Sequence, residues 1–291
     1  MQNAVHYDFM VRQLRHFFQK KGFIEVPTQT RTSILAACED PKTITEYSLG
    51  GIAYPLPQTG QMWLEFELLK NPHLAGVFCV SASYRDEPNP IEGRHHRLFP
   101  MFEFEGRGSF EDLQQIEAEL LIHMGFEAPL SFEYEELCNR YDTKILEADH
   151  EHMMSKEIST VISLEKFPSR TYPFWNMLYT GNGIYNKIDI ILHGIETIGS
   201  ASRSCNIEEM YSSFHTISNG EYAQLLFNKF GKERVEKELE EYLALDFFPR
   251  FGAGIGLTRL ERALILEKLL NVELPYNPVY QYNTQSKHLV I

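Results

Sequence analysis

The chain has 291 residues, 43% of them hydrophobic and 23% charged, enough apolar material to bury a sizeable core in one large domain or two. Its net charge is −13, from 27 basic and 40 acidic residues, which repels polyanions and disfavours extended nucleic-acid binding outside a local basic patch. No apolar run approaches the roughly 18 residues that cross a bilayer, and "MQNAVHYDFMVRQLRHFF" lacks the apolar segment of a secretion signal, so a cytoplasmic protein with no membrane partner is expected.

Residues 5–21 place Val5, Phe9, Met10, Leu14, Phe17 and Phe18 at helical spacing, predicting an amphipathic helix that Gly22 ends. "FIEVPT" follows as a short strand, and residues 30–62 are turn-rich. "WLEFELLK" predicts a helix closed by "NPH". "GVFCVSASYRDE" and "FPMFEFEG" predict a long-looped antiparallel hairpin, and Ser109 starts a helix over 110–124 with acids in its first turn. Residues 125–180 are mixed in pattern. "NKIDIILHGIETIGSASRS" predicts two strands around Gly194, residues 204–245 are helical and highly charged, and "FGAGIGLTRLERALILEKLL" predicts a glycine-rich strand running into a helix. With no repeat or linker, the reading is one compact α+β domain. The cysteines (Cys38, Cys79, Cys138, Cys205) are scattered, which predicts reduced thiols, not disulfides or a zinc site. "HEH" at 150–152 is not a metal motif, because adjacent positions do not converge on a helix.

The chemistry concentrates in three places. "YRDEPNPIEGRHHRLFPMFEFE", residues 84–105, puts Arg94, His95, His96 and Arg97 in one loop, with Arg85 at its mouth. Strand alternation turns Phe102 and Phe104 one way and Met101, Glu103 and Glu105 the other, so Arg85, Glu87 and Glu103 are expected on one floor beneath His95 and Phe99. Such a set suits a nucleotide: arginine for phosphate or carboxylate, an aromatic for the base, carboxylates for amines. A solvated charged hairpin is the competing reading. "GAGIGLTRLERAL" allows close backbone approach at Gly252, Gly254 and Gly256, with Arg259 at a helix start where anions are favoured; a strand-to-helix packing turn would look the same. "DIILHGIETIGSASR" places Asp189 and Glu196 on adjacent strands, and two carboxylates facing a phosphate site are what Mg²⁺ requires. An exposed acid pair is the alternative.

Taken together and in this order, these pieces resemble class II aminoacyl-tRNA synthetases of the aspartate/asparagine/lysine subgroup. The family's second motif resembles "YRDEPNPIEGRHHRLFPMFEFE", its third "GAGIGLTRLERAL", its first "VRQLRHFFQKKGFIEVPT", and its magnesium segment "DIILHGIETIGSASR" with the same seven-residue steps; "FPSRTYPFWNM" is similar to a further segment. The resemblance implies an antiparallel sheet flanked by helices and a single catalytic domain over residues 1–291, without the subgroup's anticodon-binding domain. It implies an ATP-dependent adenylate-forming ligase with ATP and Mg²⁺ as cofactors. Arg85 would hold the α-phosphate and the amino-acid carboxylate, and Arg85 and Arg259 would be catalytic. Glu87 would meet the adenine amino group, Phe99 would stack on the ring, His95 and Arg259 would hold the γ-phosphate, and Asp189 and Glu196 would bind Mg²⁺.

"ACED" resembles the asparaginyl-type "DCEG", with Glu39 toward the substrate ammonium, and "TGQMWLE" the asparaginyl-type "SGQL-x-x-E", which brings in Gln61 and Glu65. Glu65 would repel a substrate carboxylate and accept a bond from an amide; Arg203 could bind a side-chain oxygen of either amino acid; Glu103 and Arg85 complete the amino-acid set. Leu98, Thr258 and Arg250 depart from the family pattern, and Pro27 is displaced by two residues. A homodimer built on residues 5–28 is implied. Three functions stay open: activation of asparagine or aspartate with transfer to ammonia or another amine, a truncated asparaginyl-type synthetase charging tRNA, and a non-catalytic amino-acid sensor. The missing domain and the negative charge favour the first.

Overall fold

The computed structural model describes residues 3–28, 32–35, 41–90 and 96–270. Asn3 caps the first helix, α1 (Ala4–Lys20), by accepting from the backbone N–H of Val5 and His6; Gly22, at φ 82°, turns the chain out of it. The buried face is Met10, Val11, Leu14, Phe17 and Phe18, the stripe that the helical spacing predicts. "FIEVPT" contributes only a two-residue strand, β1 (Ile24–Glu25), before the short hairpin β2 (Glu46–Leu49) and β3 (Ile52–Pro55). The helix α2 (Gln61–Lys70) leads into the long hairpin β4 (Gly76–Tyr84) and β5 (Leu98–Arg107). A reciprocal Ser109–Asp112 capping box starts α3 (Phe110–His123).

The illegible stretch resolves into β6 (Leu130–Glu133), α4 (Tyr134–Arg140), α5 (Ala148–Glu157), β7 (Val161–Pro168) and β8 (Tyr179–Gly181). The two predicted strands around Gly194 are β9 (Ile184–Leu192) and β10 (Ile195–Ser202). The charged helical region is three helices, α6 (Ile207–Thr216), α7 (Glu221–Phe230) and α8 (Lys232–Leu243). The glycine-rich strand β11 (Arg250–Gly256) passes directly into α9 (Leu257–Leu266).

Among the described residues one sheet runs in the order β1-β4-β5-β11-β10-β9-β7-β6, with β8 added to β9. It is antiparallel except for the parallel pairs β1–β4 and β6–β7. Alternation gives it two unlike faces. Phe78, Phe102, Phe104, Ile188, Ile190, Phe251, Ala253 and Ile255 pack beneath α1, α3 and α9 as the main core. The opposite face carries the polar residues and is flanked by α2 and α6–α8, whose own core is centred on Trp175, Phe214, Tyr222 and Tyr242. This is the expected mixed fold, a large mostly antiparallel sheet flanked by helices. Cys79, Cys138 and Cys205 are free thiols. No helix among the described residues is long and apolar enough to cross a membrane.

Candidate active site

A cleft of about 400 Å³ opens over the polar face, between the β4–β5 loop, β9–β10 and the junction of β11 with α9. Arg85, Glu87, Phe99, Asp189, Glu196 and Arg259, all expected from the sequence, line it together. Arg85 lies just past the end of β4, its backbone N–H donating to the Arg97 carbonyl across the hairpin at 2.8 Å. Its guanidinium sits 5.6 Å from the centre of the Phe99 ring. Arg97 Nε donates to the Glu87 carbonyl at 3.1 Å and closes the loop's base. Glu39 and His95 lie outside the described residues; His96 lines the cleft.

Asp189 and Glu196 come from adjacent antiparallel strands, with Asp189 facing Gly199 across the ladder. Burial pushes the Asp189 carboxyl up to about 7, against the pull of Lys187 and with the help of Glu196. Its Oδ1 is buried without a hydrogen-bond partner among the described residues, while Oδ2 accepts from Lys187 Nζ at 2.5 Å. Arg259 Nη1 donates to the Glu196 carbonyl at 2.7 Å and lies 3.9 Å from its Oε2. An orphaned buried carboxylate oxygen beside a second carboxylate, in a cleft rich in cations, suits Mg²⁺, which takes one or two carboxylates and completes its shell with phosphate oxygens and water. The described residues contain no group of three metal-capable side chains, so the substrate would have to supply the rest. Within "HEH", His150 Nδ1 accepts the Glu147 N–H at 3.0 Å and Glu151 Oε2 accepts the Glu196 N–H at 3.0 Å; both are structural contacts.

The other expected amino-acid contacts lie elsewhere. Gln61, Glu65, Glu103 and Arg203 are all at most 2% exposed and do not line the cleft; they form a sealed polar group behind it. Glu103, expected on the floor beside Arg85, is instead turned to the start of α2, where it accepts from Thr59, from the Gly60 N–H at 2.7 Å and from Ser81. Burial raises its carboxyl above the ordinary value, and these donors pull it part of the way back. Arg203 Nη2 donates to Glu105 Oε1 at 2.6 Å and to Gln61 Oε1 at 3.0 Å. Glu65 holds Arg250 Nη2 at 2.6 Å, the Tyr242 hydroxyl at 2.6 Å and Asn176 Nδ2 at 2.8 Å. Burial pushes Glu65 up, but Arg250 and Arg203 outweigh it and hold the carboxyl below its ordinary value; Glu105, with less compensation, rises to about 7.

Glycine makes this packing possible. A Cβ at Gly252 would fall 1.7 Å from Glu105 Oε1 and 2.5 Å from Arg203 Nη2. The close approach at Gly252 is therefore to an internal ion pair, not to a ligand. Gly254 does line the cleft, where a Cβ would meet Met101 Cε at 2.9 Å.

Sequence reasoning missed Lys187, and it singled out "FPSRTYPFWNM" without assigning its residues 171–174 to the site. Lys187 could have been found two residues before Asp189 on the same strand face. Tyr172 sits at φ 52°, a left-handed conformation rare for a bulky side chain, and its largely exposed ring forms the lip between the cleft and a second cavity of about 390 Å³. That conformation is invisible to pattern.

A family model described as tRNA synthetases class II (D, K and N) matches residues 3–272. Among solved structures, the asparaginyl-tRNA synthetase from Pyrococcus horikoshii complexed with asparaginyl-adenylate is similar at 18% identity and a TM-score of 0.73, over 90% of this chain and 64% of that one. The Entamoeba histolytica asparaginyl-tRNA synthetase in complex with asparaginyl-adenylate gives 19% and 0.69, over 90% and 63%. The Entamoeba histolytica aspartyl tRNA synthetase gives 16% and 0.64, over 87% and 53%. At these identities the likeness is one of fold, and the chain spans less than two-thirds of the length of those structures. A search of the curated proteins finds no match.

Proposed function

The chain belongs to the class II tRNA synthetases of the D, K and N group, and on that premise we propose that it is an ATP-dependent ligase activating an amino acid of the asparagine or aspartate type. The convergence of Arg85, Phe99, Asp189, Glu196 and Arg259 on one cleft carries the reading. A substrate carboxylate oxygen attacks the α-phosphorus, the bond to the β-phosphate oxygen breaks, and pyrophosphate leaves. No general base is needed, because the carboxylate is already ionised. Arg85 neutralises charge on the α-phosphate and orients the carboxylate, Phe99 and Glu87 hold the base, and Arg259 holds the far end of the phosphate chain. Asp189 and Glu196 would hold Mg²⁺, which supplies charge neutralisation on the phosphates when bound.

The amino acid we favour is asparagine, on the likeness of "TGQMWLE" to the asparaginyl-type segment. Behind the cleft Arg203 and Arg250 are already paired with Glu65 and Glu105, so they offer no spare buried cation for the carboxylate of an aspartate. For the second step we propose transfer to ammonia or another amine, whose nitrogen attacks the acyl carbon and expels AMP. The net charge of −13 supports a small acceptor over a polyanion. Charging of tRNA is the second reading, favoured by the family itself.

ATP–pyrophosphate exchange tests both steps. Exchange is expected with asparagine in the absence of tRNA, without accumulation of labelled amino acid on total tRNA at low salt. Arg85→Ala should lower exchange on the order of 10²- to 10³-fold with the fold intact. Label appearing on tRNA at the rate of exchange would replace the amine reading with tRNA charging, and no exchange with any amino acid would leave the non-catalytic sensor.

A further inference from the structure

Lys187 and Asp189 share the face of β9 that looks onto the cleft, while Ile188 and Ile190 point into the main core. Across the ladder Lys187 faces Ala201 and Asp189 faces Gly199, small residues that leave both long side chains room above the sheet. Among its contacts the ammonium meets a carboxylate and an aromatic ring. Nζ lies 2.5 Å from Asp189 Oδ2 and 3.7 Å from the centre of the Phe167 ring. Both partners are largely buried, with side-chain exposures of 22% and 12%, so the contact is weakly screened by solvent. The carboxylate best suited to a divalent ion therefore already carries a cation supplied by its own strand.

Resting on the reading of Asp189 and Glu196 as the divalent-ion carboxylates, we propose that Lys187 is a positioning residue that occupies Asp189 in the nucleotide-free protein and yields it only when a phosphate chain enters the cleft. A divalent ion on Asp189 beside the bound ammonium would meet a like charge at close range, in a site where burial weakens screening. Metal binding before nucleotide is thereby suppressed. A phosphate chain lying between Arg85 and Arg259 offers Lys187 a second anionic partner within the same cleft, which all three residues line. Once the ammonium turns to a phosphate oxygen, Asp189 presents both oxygens, including the buried Oδ1 that has no hydrogen-bond partner among the described residues. Lys187 also borders the second cavity with Phe167 and Tyr172, which leaves space on its far side for the side chain to move. Metal and nucleotide then bind with positive coupling, each raising the affinity for the other by the same factor.

The test reads metal binding, not turnover. Mn²⁺ is titrated into the nucleotide-free full chain and followed by loss of the free-ion electron paramagnetic resonance signal. Lys187→Met is expected to tighten Mn²⁺ at least about tenfold, Lys187→Arg to leave it at the wild-type level, and Asp189→Asn in the Lys187→Met background to cancel the gain. In the wild type, a non-hydrolysable ATP analogue should tighten Mn²⁺ by a similar factor, and in Lys187→Met by much less. Lys187→Gln serves as a second neutral variant if Lys187→Met does not fold, as judged by its thermal melt. Mn²⁺ affinity unchanged by removal of the charge, equal tightening by Lys187→Arg, or a gain that survives Asp189→Asn would each overturn the proposal. Amino-acid activation plays no part in this measurement. Loss of the proposed activity would leave a tightened Mn²⁺ site standing, and an unchanged Mn²⁺ affinity would leave the activity standing.

Discussion

Glu117 lies on the apolar face of α3, between Ile116 and Leu120, and is 1% exposed. Neither carboxyl oxygen has a well-formed hydrogen bond among the described residues, because the nearby Ser200 hydroxyl donates to the Ile188 carbonyl at 3.3 Å. Burial pushes its carboxyl up to about 8; Ser200 draws it back in part, while Asp189 and Glu165 raise it further. Below about pH 4.5 the group is protonated in both folded and unfolded chains, and folding carries no penalty. Between 4.5 and 8 the unfolded chain ionises it and folding must take the proton back, so stability falls as pH rises. At about 1.4 kcal/mol per pH unit the loss reaches roughly 3 kcal/mol at pH 7 and roughly 5 kcal/mol in full, against a typical total of about 5–15 kcal/mol. Glu117→Gln keeps the shape and removes the titration. Urea unfolding of both proteins at pH 5.5, 6.5 and 7.5 should show the variant gaining on the wild type by about 1.4 kcal/mol per unit. Glu105 titrates with the same sign, but it is common to both proteins and cancels in the difference. A difference that is flat across this range would refute the assignment of a neutral, buried Glu117.

Arg203→Met should destabilise the fold by about 3–5 kcal/mol, because it strands Glu105 and weakens the compensation of Glu65; Glu105→Gln in the same background should recover part of the loss in urea unfolding. A homodimer through residues 5–28 is expected to appear in light scattering at micromolar concentration as twice the chain mass. The edge strand β1, with Ile24 48% exposed, offers the surface, since the apolar face of α1 is already used inside the protomer. A monomer would rule out that interface.

Much of the architecture was legible because its signals are local. A 3.6-residue period marks α1, a period of two sorts Phe102 and Phe104 from Met101, Glu103 and Glu105, and Ser109 announces α3. The chemistry of Arg85, Phe99, Asp189, Glu196 and Arg259, with the family resemblance that joins them, led to the expectation of one shared site, and all five line one cleft. Residues 125–180 were opaque because β6, α4, α5 and β7 are short and bury apolar residues in a separate cluster, with no sustained period.

Alternation also put Glu103 and Glu105 on the right face, but it could not say what each would meet. The N-terminus of α2 captures Glu103, and Glu105 goes to an arginine 98 residues away in sequence. The sequence by itself determined which side chains share a strand face, where the turns fall, and which groups have the chemistry for phosphate, base and metal. Only the tertiary structure decided which of those groups reach the cleft and which are sealed behind it. Facing direction is a property of neighbouring residues, whereas desolvation and ion pairing depend on what distant segments bring to the same place.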